Sequence, residues 1–184
     1  MHRAGLRVDN WFRQETVQQM VAIEQATLAD VEAVLPLLER FFVEEGFDTP
    51  PEKIGAELVE LIRASGSAVF LARQGKRPVG VATVTTTRGI ELGMSAELED
   101  LYVVPEARGT GAGGALIEAV KDWCAARGCS LVAVVVTPEG QAAHDLMAYY
   151  RRRGFEETGR TLLYAYLQPA RAGQMDSGED SEVA

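Results

Sequence analysis

The sequence predicts an α/β (α+β) domain in which strands and helices alternate along most of the chain. Three observations support this class. A strand, a glycine-rich turn and a helix follow one another between Glu97 and Arg127, a valine-rich apolar run occupies residues 131–136, and other stretches carry apolar residues at helical spacing. The 184 residues are 47% hydrophobic and 24% charged, which is typical of one globular domain with a buried core.

The first elements predicted are one strand and two helices. Val21–Ala26 is a short β-prone run, and the helix after it ends at Gly46. Pro36 interrupts the apolar face of this helix, so we expect a kink or break there. Thr49–Glu52 has capping-box spacing and prolines in the first turn, which predicts the start of the second helix.

Two further strands follow as an antiparallel hairpin. Ala68–Ala72 and Val79–Thr86 flank a polar turn that contains a glycine. Residues 87–96 contain two glycines and are predicted to be a loop. The strand Glu97–Val104 comes next and ends at Pro105, because proline cannot donate a ladder hydrogen bond.

The last part of the domain is predicted to alternate strand, helix and strands. The apolar run 131–136 predicts a strand buried on both faces. After a turn at 137–140, residues 141–152 have helical spacing. Phe155–Thr158 and Thr161–Leu167 are predicted to be two closing strands around a glycine.

Both ends of the chain differ in composition from the middle. Residues 1–19 show no period and are predicted to be an extension outside a main domain at 20–168. Residues 169–184 are rich in glycine, serine and acids, which predicts a disordered acidic tail.

Composition and charge exclude several classes of function. The net charge of −9 argues against a nucleic-acid partner and suits a cationic substrate, although simple solubility is the alternative explanation. No apolar run is long enough to span a membrane. Cys124 and Cys129 are predicted to be reduced thiols in a cytoplasmic protein, and with His2 and His144 as the only histidines no metal site is expected.

The turn from Arg108 to Gly114 contains four glycines in seven residues and opens a helix. The first N–H groups of a helix lack intrahelical partners and carry partial positive charge, and glycines let a phosphate approach them closely. The turn is therefore a candidate pyrophosphate site. The alternative is a tight strand-to-helix connection without a ligand.

Three ordered segments carry a family resemblance. Arg108, Gly111 and Gly113 fit Arg-x-x-Gly-x-Gly, and Leu98–Val103 and Tyr149–Phe155 are also of the kind found in the GNAT superfamily of acetyl-CoA-dependent N-acetyltransferases. The chain resembles this family over roughly residues 21–167. The resemblance implies a mixed, mostly antiparallel central sheet with a splayed parallel strand pair, flanked by helices on both faces.

The resemblance also implies how acetyl-CoA would bind. The backbone of three strand residues would pair with the acetyl-pantetheine arm, and the glycine turn would bind the pyrophosphate, with Arg108 shaping the turn. The implied cofactor-binding residues are Leu101, Tyr102, Val103, Arg108, Gly109, Thr110, Gly111, Ala112, Gly113 and Gly114.

Two adjacent acids are the first candidates for catalysis. Glu99 and Asp100 lie on a strand that should be apolar, and neighbouring strand residues point to opposite faces, so at least one should face the cleft. A carboxylate there could accept the proton of an incoming alkylammonium or bind it. The alternative is a pair of satisfied or edge carboxylates.

Tyr150 is the third candidate. The resemblance implies that it donates a proton to the departing thiolate of coenzyme A, and a core aromatic is the alternative. The family often has asparagine where this chain has Ala143, which removes one implied cofactor contact. Cys124 is predicted to pack in the core, so direct transfer in a ternary complex is expected.

We therefore expect an acetyl-CoA-dependent N-acetyltransferase that acts on a primary amine of a small cationic acceptor. An aminoglycoside antibiotic, with antibiotic resistance as the consequence, or a diamine or polyamine fits the acid-rich strand. A protein N-terminal or lysine acetyltransferase and a non-catalytic acyl-CoA-binding module are the alternatives. A homodimer is possible by resemblance, since many family members dimerise.

Overall fold

The computed structural model describes residues 20–167, which form a five-stranded sheet and its helices. The predicted extension at residues 1–19 and the predicted tail at 169–184 lie outside the described residues. No helix among the described residues is long and apolar enough to cross a bilayer. The elements are β1 Val21–Gln25, α1 Val31–Glu45, α2 Pro51–Arg63, β2 Ser67–Gln74, β3 Arg77–Gly89, β4 Gly93–Val103, α3 Ala112–Ala126, β5 Val132–Val134, α4 Pro138–His144 and α5 Leu146–Arg151.

The strands are ordered β1-β2-β3-β4-β5 in the sheet. The first four pair antiparallel with their neighbours, whereas β4 and β5 are parallel. The parallel pairing covers three residues of each strand, Ala96–Leu98 and Val132–Val134. The predicted mixed, mostly antiparallel sheet with a parallel pair is therefore confirmed.

Helices cover both faces of this sheet, as predicted. Helices α1 and α2 pack against each other and against β2, β3 and β4, while α3 packs against β1 to β4. Consecutive residues of β2 and β3 are buried, which requires cover on both faces. A Cβ atom on Gly80 would lie 2.8 Å from the carbonyl oxygen of Tyr102 and 3.2 Å from Leu116 Cδ1, so this glycine allows β3, β4 and α3 to pack closely.

Helix α1 has the predicted bounds but is not broken. It ends at Gly46, which adopts φ 74° and leaves its N–H to bond the last turn. Pro36 lies inside the helix, which continues through it, so of the predicted kink or break the break is wrong. Val34, Leu37 and Leu38 around it are buried, so packing on the sheet holds the helix despite the missing backbone donor.

The predicted start of α2 is correct in place but not in mechanism. Pro50 is the N-cap residue and no side chain caps the helix, so the capping box expected from Thr49 does not form. Pro51 occupies the first helical position, where its fixed φ suits the helix and its missing N–H would have had no partner.

The segment 87–96 is not a loop, contrary to the prediction. Strand β3 continues to Gly89 and β4 begins at Gly93, and these two residues pair. The β-branched run Thr85–Thr87 favours this extension, and Gly93 adopts φ 66° at the hairpin turn. The hairpin is therefore one long antiparallel ribbon.

The C-terminal strands differ most from the prediction. Strand β5 is three residues long and only partly buried, so it is not buried on both faces. Phe155–Thr158 and Thr161–Leu167 have no regular secondary structure, and the predicted closing strands are therefore wrong. No further strand of the described chain pairs with the outer edge of β5, so the backbone groups along that edge have no neighbouring strand.

The predicted helix 141–152 consists of two short helices. Thr137 caps α4, its Oγ1 accepting from Gly140 N at 3.1 Å, so α4 begins inside the predicted turn. Asp145 adopts φ 49° and ends α4. The Gln141 side chain donates to Asp145 Oδ1 at 3.1 Å and accepts from Met147 N at 2.7 Å, which stabilises the break and caps α5.

Candidate active site

A cavity of about 530 Å³ opens where β4 and β5 diverge. Their last paired residues are Leu98 and Val134, after which β4 continues to Val103 without its parallel neighbour. The cavity is large enough for part of a small-molecule ligand. It extends from the acidic residues of β4 to the first turn of α3.

A β-bulge lies at the point where the strands separate. Thr83 of β3 pairs with Asp100 and Val84 pairs with Leu98, so Glu99 is an extra residue in β4. A bulge bends the strand that carries it and increases its twist. It therefore turns the remainder of β4 away from β5 and opens the cleft.

The backbone of β4 beyond the bulge presents hydrogen-bonding groups to the cavity. Val104 N donates to Val79 O at 2.9 Å, and the Tyr102 carbonyl lies against Gly80, so these groups face β3. Backbone groups alternate along a strand, which turns those of Leu101 and Val103 to the open side. All three predicted strand residues line the cavity, but the main chain of Tyr102 faces the neighbouring strand.

The glycine turn forms the other end of the cavity. Gly109 and Gly111 adopt φ 80° and 92°, which L side chains rarely adopt, and α3 begins at Ala112. The first intrahelical bond runs from Ala115 N to Gly111 O at 3.0 Å. The N–H groups of the first turn are therefore unpaired within the helix and available to a ligand.

Most of the predicted turn residues line this cavity, and one does not. Arg108, Gly109, Gly111, Ala112, Gly113 and Gly114 are part of its wall. Thr110 is absent from the wall, and its Oγ1 donates to Ala107 O at 2.7 Å. Its hydroxyl therefore stabilises the turn.

Arg108 connects the turn to the strand and to α1. Its Nε donates to Val103 O at 3.0 Å, and its Nη2 forms an ion pair with Glu44. The guanidinium also lies 5.8 Å from the centroid of the Tyr102 ring. These contacts support the predicted role of Arg108 in shaping the turn. His144 Nε2 lies 3.8 Å from the same carboxylate of Glu44.

The two predicted acids have different environments at the acidic end. Asp100 is half-buried, and Thr83 Oγ1 donates to its Oδ2 at 2.5 Å. Burial raises the pKa of Asp100 above its usual range, the hydrogen bond from Thr83 opposes this, and the charge of Glu99 adds to it. Glu99 is exposed and accepts from Thr85 Oγ1, and both acids line the cavity.

Tyr150 reaches the same cavity from α5. Its ring is buried and packs edge-to-face against Tyr149 and Phe155, with centroid distances of 5.4 and 5.3 Å. Burial raises the pKa of its hydroxyl to about 12. At neutral pH the phenol is therefore protonated and can donate, but cannot act as a base.

Cys124 is not part of the cavity wall. It lies on α3 in the core, and burial raises the pKa of its thiol to about 12. A neutral thiol is a poor nucleophile, so this environment does not support an acyl-cysteine intermediate.

The predicted site residues include none from α1 or from the region of α4 and the start of α5, although both contribute to the cavity wall. Glu44 and Glu45 carry the available signal, since they are two adjacent acids in the last turn of a helix, where the dipole disfavours negative charge. The wall residues that the predicted site did not include are Phe41, Glu44, Glu45, Phe47, Leu98, Ala107, Val134, Val135, Thr137, His144, Leu146, Tyr149 and Arg153.

Comparison with known proteins identifies this architecture. A family model described as "Acetyltransferase (GNAT) family" matches residues 31–155. The chain belongs to the GNAT family. It is therefore an acyltransferase, and acetyl-CoA is its co-substrate.

Individual relatives agree with the family. The chain is 35% identical over 154 residues to an "Aminoglycoside N(6')-acetyltransferase type 1" of Stenotrophomonas maltophilia, covering 80% of this chain and 95% of the relative. It is 28% identical to the "Uncharacterized N-acetyltransferase YhfO" of Bacillus subtilis, covering 81% and 99%. A solved complex of AAC(6')-Iy with a CoA bisubstrate analogue shares the fold, with TM-score 0.70, 24% identity and coverage of 81% and 99%.

The glycine turn of this GNAT chain fits the diphosphate of acetyl-CoA. A Cβ atom on Gly113 would lie 2.5 Å from the Tyr149 hydroxyl, so any side chain there would collide with the cavity wall. The missing side chains leave the first-turn N–H groups accessible, which is the arrangement that binds phosphates at helix N-termini. Gly109 to Gly114 would hold the diphosphate, and the open backbone of β4 would hold the pantetheine arm.

We predict that Thr83→Val raises the pKa of Asp100 further, because the substitution removes the hydroxyl that stabilises the carboxylate. The pKa would be measured by NMR titration of the Asp100 side-chain carboxyl carbon. Thr85→Val is the matched control, since Thr85 donates to Glu99 instead, and should leave the Asp100 titration nearly unchanged. An unchanged or lowered Asp100 pKa in Thr83→Val would show that the Thr83 hydroxyl does not stabilise the Asp100 carboxylate.

Proposed function

We propose that this GNAT enzyme transfers the acetyl group of acetyl-CoA to a primary amine of a small cationic acceptor. This proposal rests on one observation: the carboxylates of Glu99 and Asp100 on β4 line the same cavity as the glycine turn. An aminoglycoside is the preferred acceptor class because of the 35% identity to an aminoglycoside N-acetyltransferase, and antibiotic resistance would be the consequence. A diamine or polyamine is the second class that the acidic end suits.

Asp100 is the proposed base. An alkylamine is protonated at neutral pH and must lose a proton before it can attack a carbonyl. Partial burial raises the pKa of Asp100, which makes its carboxylate a better proton acceptor than an exposed one. Glu99, exposed at the bulge, is proposed to bind the ammonium group electrostatically.

Tyr150 is the proposed acid. The departing thiolate of coenzyme A needs a proton, and the protonated phenol of Tyr150 lines the cavity. The proton would pass from the Tyr150 hydroxyl to the sulfur, while the amine proton passes to Asp100 directly or through water. The acetyl group moves directly between the two substrates, because the only cysteines in the described chain, Cys124 and Cys129, lie outside this cavity.

We predict turnover with cationic amines. Release of free thiol from acetyl-CoA would be measured with aminoglycosides, diamines, polyamines, and peptides with a free N-terminus or lysine. Aminoglycosides should give the highest kcat/KM. Higher turnover of peptides would instead select a protein acetyltransferase, and acetyl-CoA binding without turnover of any amine would select a non-catalytic binding module.

An Asp100→Asn variant provides the control for this panel. Loss of the base should lower kcat about 10²- to 10⁴-fold. The dissociation constant for acetyl-CoA should change little, since Asp100 lies at the other end of the cavity from the glycine turn. A kcat in Asp100→Asn close to that of the native chain would contradict the proposed base.

We predict that Tyr150→Phe lowers kcat about 10²-fold with an unchanged dissociation constant for acetyl-CoA, because phenylalanine keeps the packing and removes the proton donor. Steady-state kinetics and calorimetry would separate the two quantities. The melting temperature serves as the control for folding. Equal kcat in the two proteins would show that the phenol is not the acid.

We also propose that two copies associate through the C-terminal segment 161–167. Strand β5 is the last strand of the sheet in the described chain, so its outer edge is unpaired there. The segment has the sequence TLLYAYL, and its five large side chains, Leu162, Leu163, Tyr164, Tyr166 and Leu167, are between 55% and 94% exposed. In the proposed dimer, this β-prone apolar segment of one copy lies along the open edge of β5 in the other.

We predict that the full chain is a dimer in solution and that Leu163→Asp shifts it towards the monomer, because a charge in the segment opposes its burial. Molar mass would be measured by light scattering during size-exclusion chromatography. Ile90→Asp, at a fully exposed apolar position in the β3–β4 turn, is the matched control and should not change the mass. A monomeric full chain would refute the dimer while leaving the enzymatic proposal intact.

A further inference from the structure

We infer that Arg153 and the hydroxyl of Tyr149 form a clamp that binds the diphosphate of acetyl-CoA beside the first turn of α3. Neither residue belongs to the glycine turn, and both line the cavity. The inference rests on the proposed use of that turn as the diphosphate site, and it adds a second cation beside Arg108, which is already paired with Glu44.

The guanidinium of Arg153 lies against the first turn of α3. A Cβ atom on Gly114 would lie 3.4 Å from its Nη2 and 3.5 Å from its Nε. Gly114 is the third residue of the helix, so this cation lies beside the unpaired N–H groups. The position is unfavourable for a cation on its own, because the helix dipole places partial positive charge there. An anion that contacts both the guanidinium and these N–H groups would offset this repulsion.

Two contacts hold Arg153 in this position. Its Cζ lies 3.6 Å from the centroid of the Tyr149 ring, and its Nη1 donates to Tyr149 O at 2.8 Å. Stacking and one hydrogen bond fix the plane of the guanidinium and leave Nη2 and Nε towards the turn. The side chain is therefore ordered before a ligand binds, so that binding costs little of its conformational entropy.

Arg153 has no carboxylate partner among residues 20–167. In the same region Arg151 pairs with Glu157, and Arg108 pairs with Glu44. A half-buried guanidinium that stacks on an aromatic ring and forms no ion pair within the described chain is available to an external anion. The Tyr149 hydroxyl, directed at Gly113, adds a neutral donor beside it.

The diphosphate is the phosphate group that this geometry favours. Arg153 and the helix amides converge on the same turn, and the diphosphate is the part of acetyl-CoA that the turn would hold. The 3′-phosphate is the other candidate, and a ligand series distinguishes them. Coenzyme A carries both groups, dephospho-coenzyme A lacks the 3′-phosphate, and pantetheine has neither.

The test is calorimetric binding of these three ligands to Arg153→Leu. We expect a loss of affinity for coenzyme A of about 10- to 100-fold, the range for a hydrogen bond to a charged group. The loss should be the same for dephospho-coenzyme A and absent for pantetheine. Arg152→Leu is the matched control, since it removes the same charge from an exposed neighbour that does not line the cavity, and should bind nearly as the native chain does.

Two further variants protect the test against misfolding. Tyr149→Phe keeps the ring under Arg153 and should weaken coenzyme A binding about 5-fold through the lost hydroxyl. Arg153→Lys keeps the charge without the planar stack and should recover part of the affinity. An unchanged affinity in Arg153→Leu, or a loss confined to coenzyme A and absent with dephospho-coenzyme A, would overturn the inference. Failure of the native chain to bind coenzyme A would instead overturn the proposed function.

Discussion

The extra residue at Glu99 is the constraint on which the arrangement of the site depends. Regular pairing of β4 with β5 would close the sheet and satisfy the backbone of Leu101 and Val103. The bulge bends β4 after three parallel pairs, so the backbone of Leu101 faces the cleft, while the Val103 carbonyl on the same side accepts from Arg108 Nε. The same displacement places Glu99 and Asp100 at the start of the opening, between the strand edge and α5. The open side of β4 and the position of its two carboxylates thus have one cause, the bulge.

The two ends of the cleft favour ligands of opposite charge. Its helix end combines unpaired amides, a partial positive charge and Arg153, all of which favour an anion. Its strand end carries Glu99 and Asp100, which favour a cation. The two substrates of an N-acetyltransferase are an anionic cofactor and a cationic amine, so their charges match those that the two ends of the cleft favour. Arg108 forms an ion pair with Glu44, so this pair adds little net charge to the cleft.

Local patterns predicted the first part of the chain and the site better than the last part of the fold. The glycine turn and the acids of β4 are recognisable because each violates a rule for its element, such as glycine in a helix or carboxylates in a buried strand. Tyr150 violates no such rule and was named only because its segment resembles that of the family. The break at Asp145 depends on the side chain of Gln141, which no period reveals. The state of residues 161–167 depends on what covers them, since a β-prone apolar segment forms a strand only where an edge accepts it. Arg153 was overlooked because its role arises from proximity to Gly114, which lies far from it in the sequence.

The close approach of Tyr149 to Gly113 has an evolutionary consequence. A methyl group at position 113 would require the tyrosine ring to move, and that ring supports Arg153. Position 113 therefore cannot gain a side chain while Tyr149 stays in place. Among descendants of this sequence, a larger residue at 113 should arise together with a smaller one at 149, and such lineages would have to supply the displaced positive charge from elsewhere. The pair thus links the substitution histories of α3 and α5.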